Sequence, residues 1–260
     1  MSVFHFKKFD VENSRSAMKV NTDGVLLGAV ASIETTDRQV LDIGTGTGVI
    51  ALMLAQRYDS DGLSPEITGI DIDQDAAEEA KVNFQNSPWH EILTSYNLAL
   101  EDYSKADGTR MYDLIVSNPP YYDSSLTNPD GRRAAARHTG EGLSYREIME
   151  FAKDRLTETG RLALVLPSDQ EAALARYGRM CGFSLSRILR IRTVERKQAA
   201  RIITVFSRQR TPEMDAGGEA VRMPAGPKPV WKDDTTLTLM EKGKYTGQYI
   251  SLVEDFYLFA

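Results

Sequence analysis

The segment LDIGTGTGVIA, Leu41 to Ala51, constrains the fold of this chain more than any other. It joins a short apolar run, QVLDIG, to GVIALMLAQRY, where helical spacing puts Ile50, Leu54 and Tyr58 on one side. Glycines at 44, 46 and 48 permit a sharp strand-to-helix turn and let a ligand approach the backbone. EITGIDID then reads as a second strand, and Asp71 at its end suits bonding to ribose hydroxyls. A tight turn without a ligand is the plain alternative. The place of the loop in a strand–helix–strand unit, Asp42 ahead of it and Asp71 beyond it all favour a binding loop.

Strands and helices alternate from about Gln39 to Ser207. QDAAEEAKVNFQNS reads as a helix, with Ala76, Ala80 and Phe84 at four-residue steps. EILTSYNLAL, YDLIVSN and RLALVLP read as strands three to five. LSYREIMEFAKDRL carries a capping box, Ser144 and Glu147, at the start of a helix. SDQEAALARYGRMCG is a helix stopped at Gly182. FSLSRILRIRTV and ARIITVFSRQ follow as two strands with no helix between them, so they pair antiparallel. The expected fold is α/β: a Rossmann-like, doubly wound, mostly parallel seven-stranded sheet with an antiparallel final strand. Ligands bind such sheets at the carboxyl ends of the strands, near the switch point. One domain is expected over 1–260, with a core at 39–210 and an N-terminal segment, 1–38, serving substrate and donor. A proline- and glycine-rich loop or insertion covers 211–230. The tail, 231–260, is expected to pack back through Tyr249, Leu252, Val253 and Phe256.

Bulk properties exclude some classes. With 42% hydrophobic and 26% charged residues the chain reads as an ordinary globular protein. Its net charge of −6 gives no overall pull toward nucleic acid. A single cysteine, Cys181, allows no internal disulfide and reads as a small buried hydrophobe. No leader or membrane-spanning run is visible, so a cytoplasmic location and no membrane partner are expected. His5, His90 and His138 are scattered, and no metal is expected.

The second telling stretch is IVSNPPYYDSS, Ile115 to Ser125. Proline cannot donate to a sheet ladder, so the strand must end at Asn118. A proline-stopped strand with exposed tyrosines is the plain reading. The glycine loop supplies another. Its spacing is G-x-G-x-G, not the G-x-G-x-x-G that seats a pyrophosphate on a helix N-terminus. DIGTGTG with the later GIDID resembles the first two motifs of class I S-adenosylmethionine-dependent methyltransferases. That resemblance implies S-adenosylmethionine as cofactor, held by Asp42, Gly44, Thr45, Gly46, Gly48, Asp71 and Ile72. The adenine of the donor would meet Asp102, or backbone amides and apolar contact if Ala99 takes that place.

SNPPYY resembles the Asn-Pro-Pro-Tyr motif of methyltransferases that act on planar nitrogens, in adenine or in a glutamine amide. The resemblance assigns Asn118, Pro119, Pro120 and Tyr121 to catalysis. The Asn118 side-chain oxygen and the Pro119 carbonyl can accept both N–H bonds of a delocalised amine, aligning it for in-line attack. Tyr121 can stack on the flat substrate.

Ahead of the first strand, MKVNTDGVLLGA resembles a motif of the bacterial tRNA1(Val) adenine-37 N6-methyltransferases, as do FKKF near the start and YISLVEDFYL near the end. By that resemblance Lys19, Thr22, Asp23 and Gly24 line the methionine end of the donor pocket. An N-terminal helix packed on the sheet, with Asp23 as its cap, is the plain alternative. That resemblance implies N6-methylation of an adenine in tRNA, adenine 37 in the anticodon loop of tRNA1(Val); a monomer is expected. Arg132, Arg133 and Arg137 follow the catalytic corner, and RILRIRTVERKQAAR adds Arg187, Arg190, Arg192, Arg196, Lys197 and Arg201. Of these, Arg132, Arg133, Arg137, Arg192, Arg196 and Lys197 are the candidates to hold RNA phosphates. A solvated basic face is the plain alternative. Rival substrates are another RNA, such as ribosomal RNA, and a release-factor glutamine. The release-factor enzymes carry a helical domain ahead of the core, for which about 40 residues are too few. A non-catalytic donor- and RNA-binding protein is the rival from another class.

Overall fold

The computed structural model describes residues 2–106, 108–120, 143–209 and 234–259. A short hairpin of β1 (Val3–His5) and β2 (Asp10–Glu12) opens the chain. It leads to α1 (Thr22–Val30), β3 (Gln39–Ile43), α2 (Val49–Ser60), β4 (Glu66–Asp71), α3 (Gln74–Gln85) and β5 (Leu93–Asn97). Then come α4 (Leu100–Ala106), β6 (Tyr112–Ser117), α5 (Tyr145–Arg155), β7 (Leu156–Pro167), α6 (Glu171–Met180), β8 (Phe183–Arg192) and β9 (Arg201–Arg208). The last elements are β10 (Asp234–Thr238), the two-residue strands β11 (Met240–Glu241) and β12 (Lys244–Tyr245), and α7 (Gly247–Val253).

The main sheet has the order β10-β8-β9-β7-β6-β3-β4-β5. Only β9 runs against its neighbours, β7 and β8. The doubly wound, mostly parallel reading therefore holds, with one correction: among the described residues the sheet has eight strands, not seven. The extra strand, β10, lies parallel to β8 at the edge. Its sequence, DTTLT, buries only Leu237, so no alternating apolar signal marks it. A polar edge is how sheets avoid pairing with other chains.

Side chains alternate across each strand and so feed two cores. Val40, Leu114, Val116, Ala163 and Val165 enter one core, with α1, α2 and the C-terminal Tyr249, Val253 and Phe256. Leu41, Ile43, Ile115, Leu162 and Leu164 enter the other, with Ile148 and Met149 of α5 and Leu174 of α6. The helix α2 is buried from Val49 to Gln56 and at Tyr58, where it packs against the sheet and against α1.

Local signals set the helix starts. Both halves of the capping box at Ser144 and Glu147 are made. The cap of α1 is Asn21, whose Oδ1 accepts the Gly24 amide at 2.9 Å, and not Asp23. The strand expected to run through Leu100 stops at Asn97, and LEDYSKA forms α4 instead. At the amino ends of the strands, Arg161 makes two 2.7 Å bonds to the buried Asp37, which also accepts the Tyr58 hydroxyl at 2.5 Å. This charged knot ties the loop before β3 to β7 and α2.

Candidate active site at the ends of the central strands

The strand order reverses at β3, which lies between β4 and β6. Glycine 44, Asp71 and Asn118 follow or end these three strands, so the switch point gathers them at one end of the sheet.

The loop after β3 takes positive φ at Gly44 (+70°), Gly46 (+56°) and Gly48 (+82°). The three glycines serve different ends. A Cβ on Gly48 would stand 2.4 Å from the Phe84 ring, so this glycine makes room for α3 packing. Gly44 and Gly46 are partly exposed and meet only van der Waals neighbours, so they are the two of the three glycines where a ligand could approach the backbone. Thr45 points inward: its hydroxyl donates to Asp42 Oδ2 at 2.8 Å.

Asp42 is fully buried, and its Oδ1 has no hydrogen-bond partner among the described residues. Burial pushes its carboxyl up to about 7; the Thr45 hydroxyl pulls the other way, and the charge of Asp71 adds to the rise. A buried acceptor without a donor is costly, and a cationic ligand group would satisfy it. Asp71 accepts the Gly46 amide on Oδ2 and the Asp73 amide on Oδ1, each at 2.9 Å. Burial raises its pKa also, against those two amides. Ile72 beside it is 69% exposed, an apolar surface held out next to the loop. Asn97, which the sequence did not single out, fixes this turn by donating to the carbonyls of Asp71 and Ile72. Asp102 sits in the first turn of α4, its exposed side chain 3.6 Å from Lys105.

Asn118 and Pro119 are buried just past β6. The preceding Ser117 hydroxyl bonds the Ile43 carbonyl at 2.6 Å, locking β6 to the start of the glycine loop. A Cβ on Gly24 would lie 3.8 Å from Asn118 Nδ2 and 3.6 Å from Val49 Cγ1. The first turn of α1, the start of α2 and the Asn118 corner therefore meet. Met18 joins them, its sulfur 3.9 Å from Asn118 Nδ2. No sequence signal marks this contact, which spans a hundred positions. Lys19 and Thr22 are exposed beside it, and Asp23 accepts Arg201 Nε at 3.1 Å. Pro120 is half-buried; Tyr121, Arg132, Arg133, Arg137 and the whole 211–230 segment lie outside the described residues.

The other basic residues separate. Arg190 is taken up by Glu171 and Asp234, and Arg187 bonds Ser32 Oγ. Arg192 bonds Thr238 Oγ1 at 2.8 Å. Arg196 and Lys197 are exposed in the loop between β8 and β9, at the same end of the sheet as Asn118.

The model of the methyltransferase small domain family matches residues 16–176, more than half of the chain. This protein belongs to that family. Among curated relatives, one from Parabacteroides distasonis is 38% identical over 98% of this chain and 97% of its own. One from Flavobacterium johnsoniae is 34% identical over 98% and 99%. One from Aeromonas salmonicida is 38% identical over 99% and 98%. All three are named tRNA1(Val) (adenine(37)-N6)-methyltransferase. An Agrobacterium tumefaciens structure described as a predicted O-methyltransferase superposes with a TM-score of 0.60 at 16% identity, covering 90% of this chain and 96% of its own. A Pyrococcus horikoshii structure described as a putative transferase superposes with a TM-score of 0.55 at 12% identity, covering 80% of this chain and 72% of its own. These two show the shared fold. No helix among the described residues is long and apolar enough to cross a membrane.

Proposed function

We propose that this methyltransferase moves the methyl group of S-adenosylmethionine to the exocyclic N6 amine of an adenine in tRNA, adenine 37 in the anticodon loop of tRNA1(Val). The observation that carries the proposal is the Asn118–Pro119 corner, buried at the end of β6 and bonded through Ser117 to the glycine loop. The donor supplies an electrophilic methyl on a sulfonium centre. The orphan oxygen of Asp42, the open backbone at Gly44 and Gly46, and Asp71 at the end of β4 fit its charged, compact amino-acid end and its ribose.

The residues of the chain do the rest by position. Adenine N6 is a poor nucleophile because its lone pair is delocalised into the ring. Asn118 Oδ1 and the Pro119 carbonyl each accept one N–H, which turns the lone pair toward the methyl and favours the positive charge that builds on nitrogen. Proline holds that carbonyl direction fixed. Arg196 and Lys197 contact the phosphates flanking the target nucleotide. An anticodon-loop adenine is already partly unstacked, so turning it into the site costs only about a few kcal/mol.

The test is methyl transfer from labelled S-adenosylmethionine to total bacterial tRNA, followed by nucleoside analysis. Label in N6-methyladenosine, lost in Asn118→Ala while donor binding persists, is the expected result. Label in ribosomal RNA or a release-factor protein, with none in tRNA, would move the substrate. Transfer to none of them would overturn the catalytic reading.

A further inference from the structure

The loop Asn13–Val20 carries no catalytic side chain, yet it is held more tightly than its sequence suggests. Glu79, on the inner face of α3, is completely buried. Its Oε1 accepts the amides of Ser14 and Arg15, each at 2.7 Å, and the Ser14 hydroxyl at 3.3 Å. Its Oε2 accepts the Ser16 amide at 2.9 Å. Three successive amides converging on one carboxylate form an anion-binding nest, here filled from within the protein. One helical turn on, Asn83 accepts the Glu12 amide and donates to the carbonyls of Glu12 and Thr47. Glu79 and Asn83 thus pin the incoming chain to the helix, and Asn83 adds a tie to the glycine loop itself.

The loop closes on its own base, where Asn13 Oδ1 accepts the Val20 amide at 3.1 Å. Inside it, Ser16 Oγ donates to the Met18 carbonyl. Both groups lie over Gly46: a Cβ on it would be 3.7 Å from Ser16 Oγ and 3.9 Å from the Met18 carbonyl. The Met18 side chain reaches Asn118. A buried carboxylate on α3 is therefore linked by consecutive short contacts to the backbone of Gly46 and to Asn118.

We propose that Glu79 is a positioning residue for the methyl donor, which fixes the Asn13–Val20 loop as one wall of the pocket over Gly46. It touches neither donor nor acceptor. An ionised carboxylate accepts on both oxygens, so it can meet the donors that converge on Glu79 from both sides. Glutamine has the same shape, but its amide would set N–H against N–H on one side of the nest, so the loop must shift.

The experiment compares Glu79→Gln with Asn13→Ala, which opens the base of the loop without touching Glu79. Titration calorimetry gives the Kd for S-adenosylhomocysteine, and filter binding gives the Kd for tRNA. Circular dichroism checks the fold. Both variants should stay folded and lose donor affinity by about tenfold or more while tRNA affinity changes by less than about threefold. Glu79→Asp keeps the charge and should recover part of the loss. Donor affinity within about twofold of wild type in the folded variants would overturn the proposal, since the loop would then be only an anchor for the N-terminus. Equal losses for donor and tRNA would overturn it also, because they would mean general loosening. If Glu79→Gln does not fold, Asn13→Ala alone decides by the same criterion.

Discussion

The ionisation of Asp42 can be tested without any substrate. Its carboxyl has a pKa of about 7 in the folded chain, chiefly from burial, against an ordinary value of 3.8. Between those values the native state holds a proton that the unfolded chain has released. Stability must then fall as the pH rises through this window, and it levels off above the folded value. A rise of this size corresponds to roughly 4 kcal/mol over the whole window, of which about 2 kcal/mol falls between about pH 5.5 and about pH 8. For a chain of this length that is a drop in Tm of roughly 4–8 °C. Asp42→Asn keeps the shape and an oxygen for the Thr45 hydroxyl but has no charge to desolvate. Thermal unfolding of both proteins at the two pH values isolates the effect, since every other titrating group is common to both. The variant should lose less stability than wild type over this interval, by about 2 kcal/mol. A second arm adds S-adenosylhomocysteine, whose ammonium group would favour the charged carboxylate. Binding at about pH 6 should release a proton in wild type and none in the variant, read from calorimetry in buffers of different ionisation enthalpy. Equal pH dependence in the two proteins would refute the reasoning, and would mean that Asp42 is already charged in the empty pocket.

Three further outcomes follow from particular contacts. Gly48→Ala forces a Cβ into Phe84 at a φ of +82° and should cost roughly 2–5 kcal/mol in urea unfolding; adding Phe84→Ala should not restore the wild-type value, because the backbone strain remains. Asp37→Ala leaves the buried Arg161 guanidinium without its carboxylate, and should lower stability by roughly 3–5 kcal/mol with little change in donor Kd for the protein that remains folded. Replacing Arg196 and Lys197 together by alanine should weaken tRNA binding and reduce the salt dependence, the slope of log K against log salt, by about 1 to 2, with donor affinity unchanged; an unaltered slope would remove this loop from the RNA surface.

Much of the fold was legible in the sequence because its signals are local. The glycine loop, the proline stop after Ser117, the capping box at Ser144 and the alternation of apolar residues each depend on neighbours a few positions apart. These suffice for the order of elements in the core and for placing Asn118 and Asp71 at strand ends. Signals fail where segments are short and polar. The edge strand β10 buries only Leu237, and α4 begins within a stretch that reads as a continuing strand.

Tertiary structure decided what each chemical group is free to do. The sequence shows three equivalent glycines, but only packing against Phe84 separates Gly48 from Gly44 and Gly46. It shows a run of arginines, but Glu171 and Asp234 take Arg190, and Asp23 binds Arg201. It shows an acidic residue before the loop, but burial in the surrounding core, with the charge of Asp71 adding to it, is what raises the pKa of Asp42. The loop over Gly46 depends on Glu79, more than sixty positions from the amides it holds. Spacing along a chain fixes which residues share a strand or a helix face. Burial, partner and distance to a residue far along the chain arise only when the sheet brings the segments together, and those three quantities set the chemistry of the site.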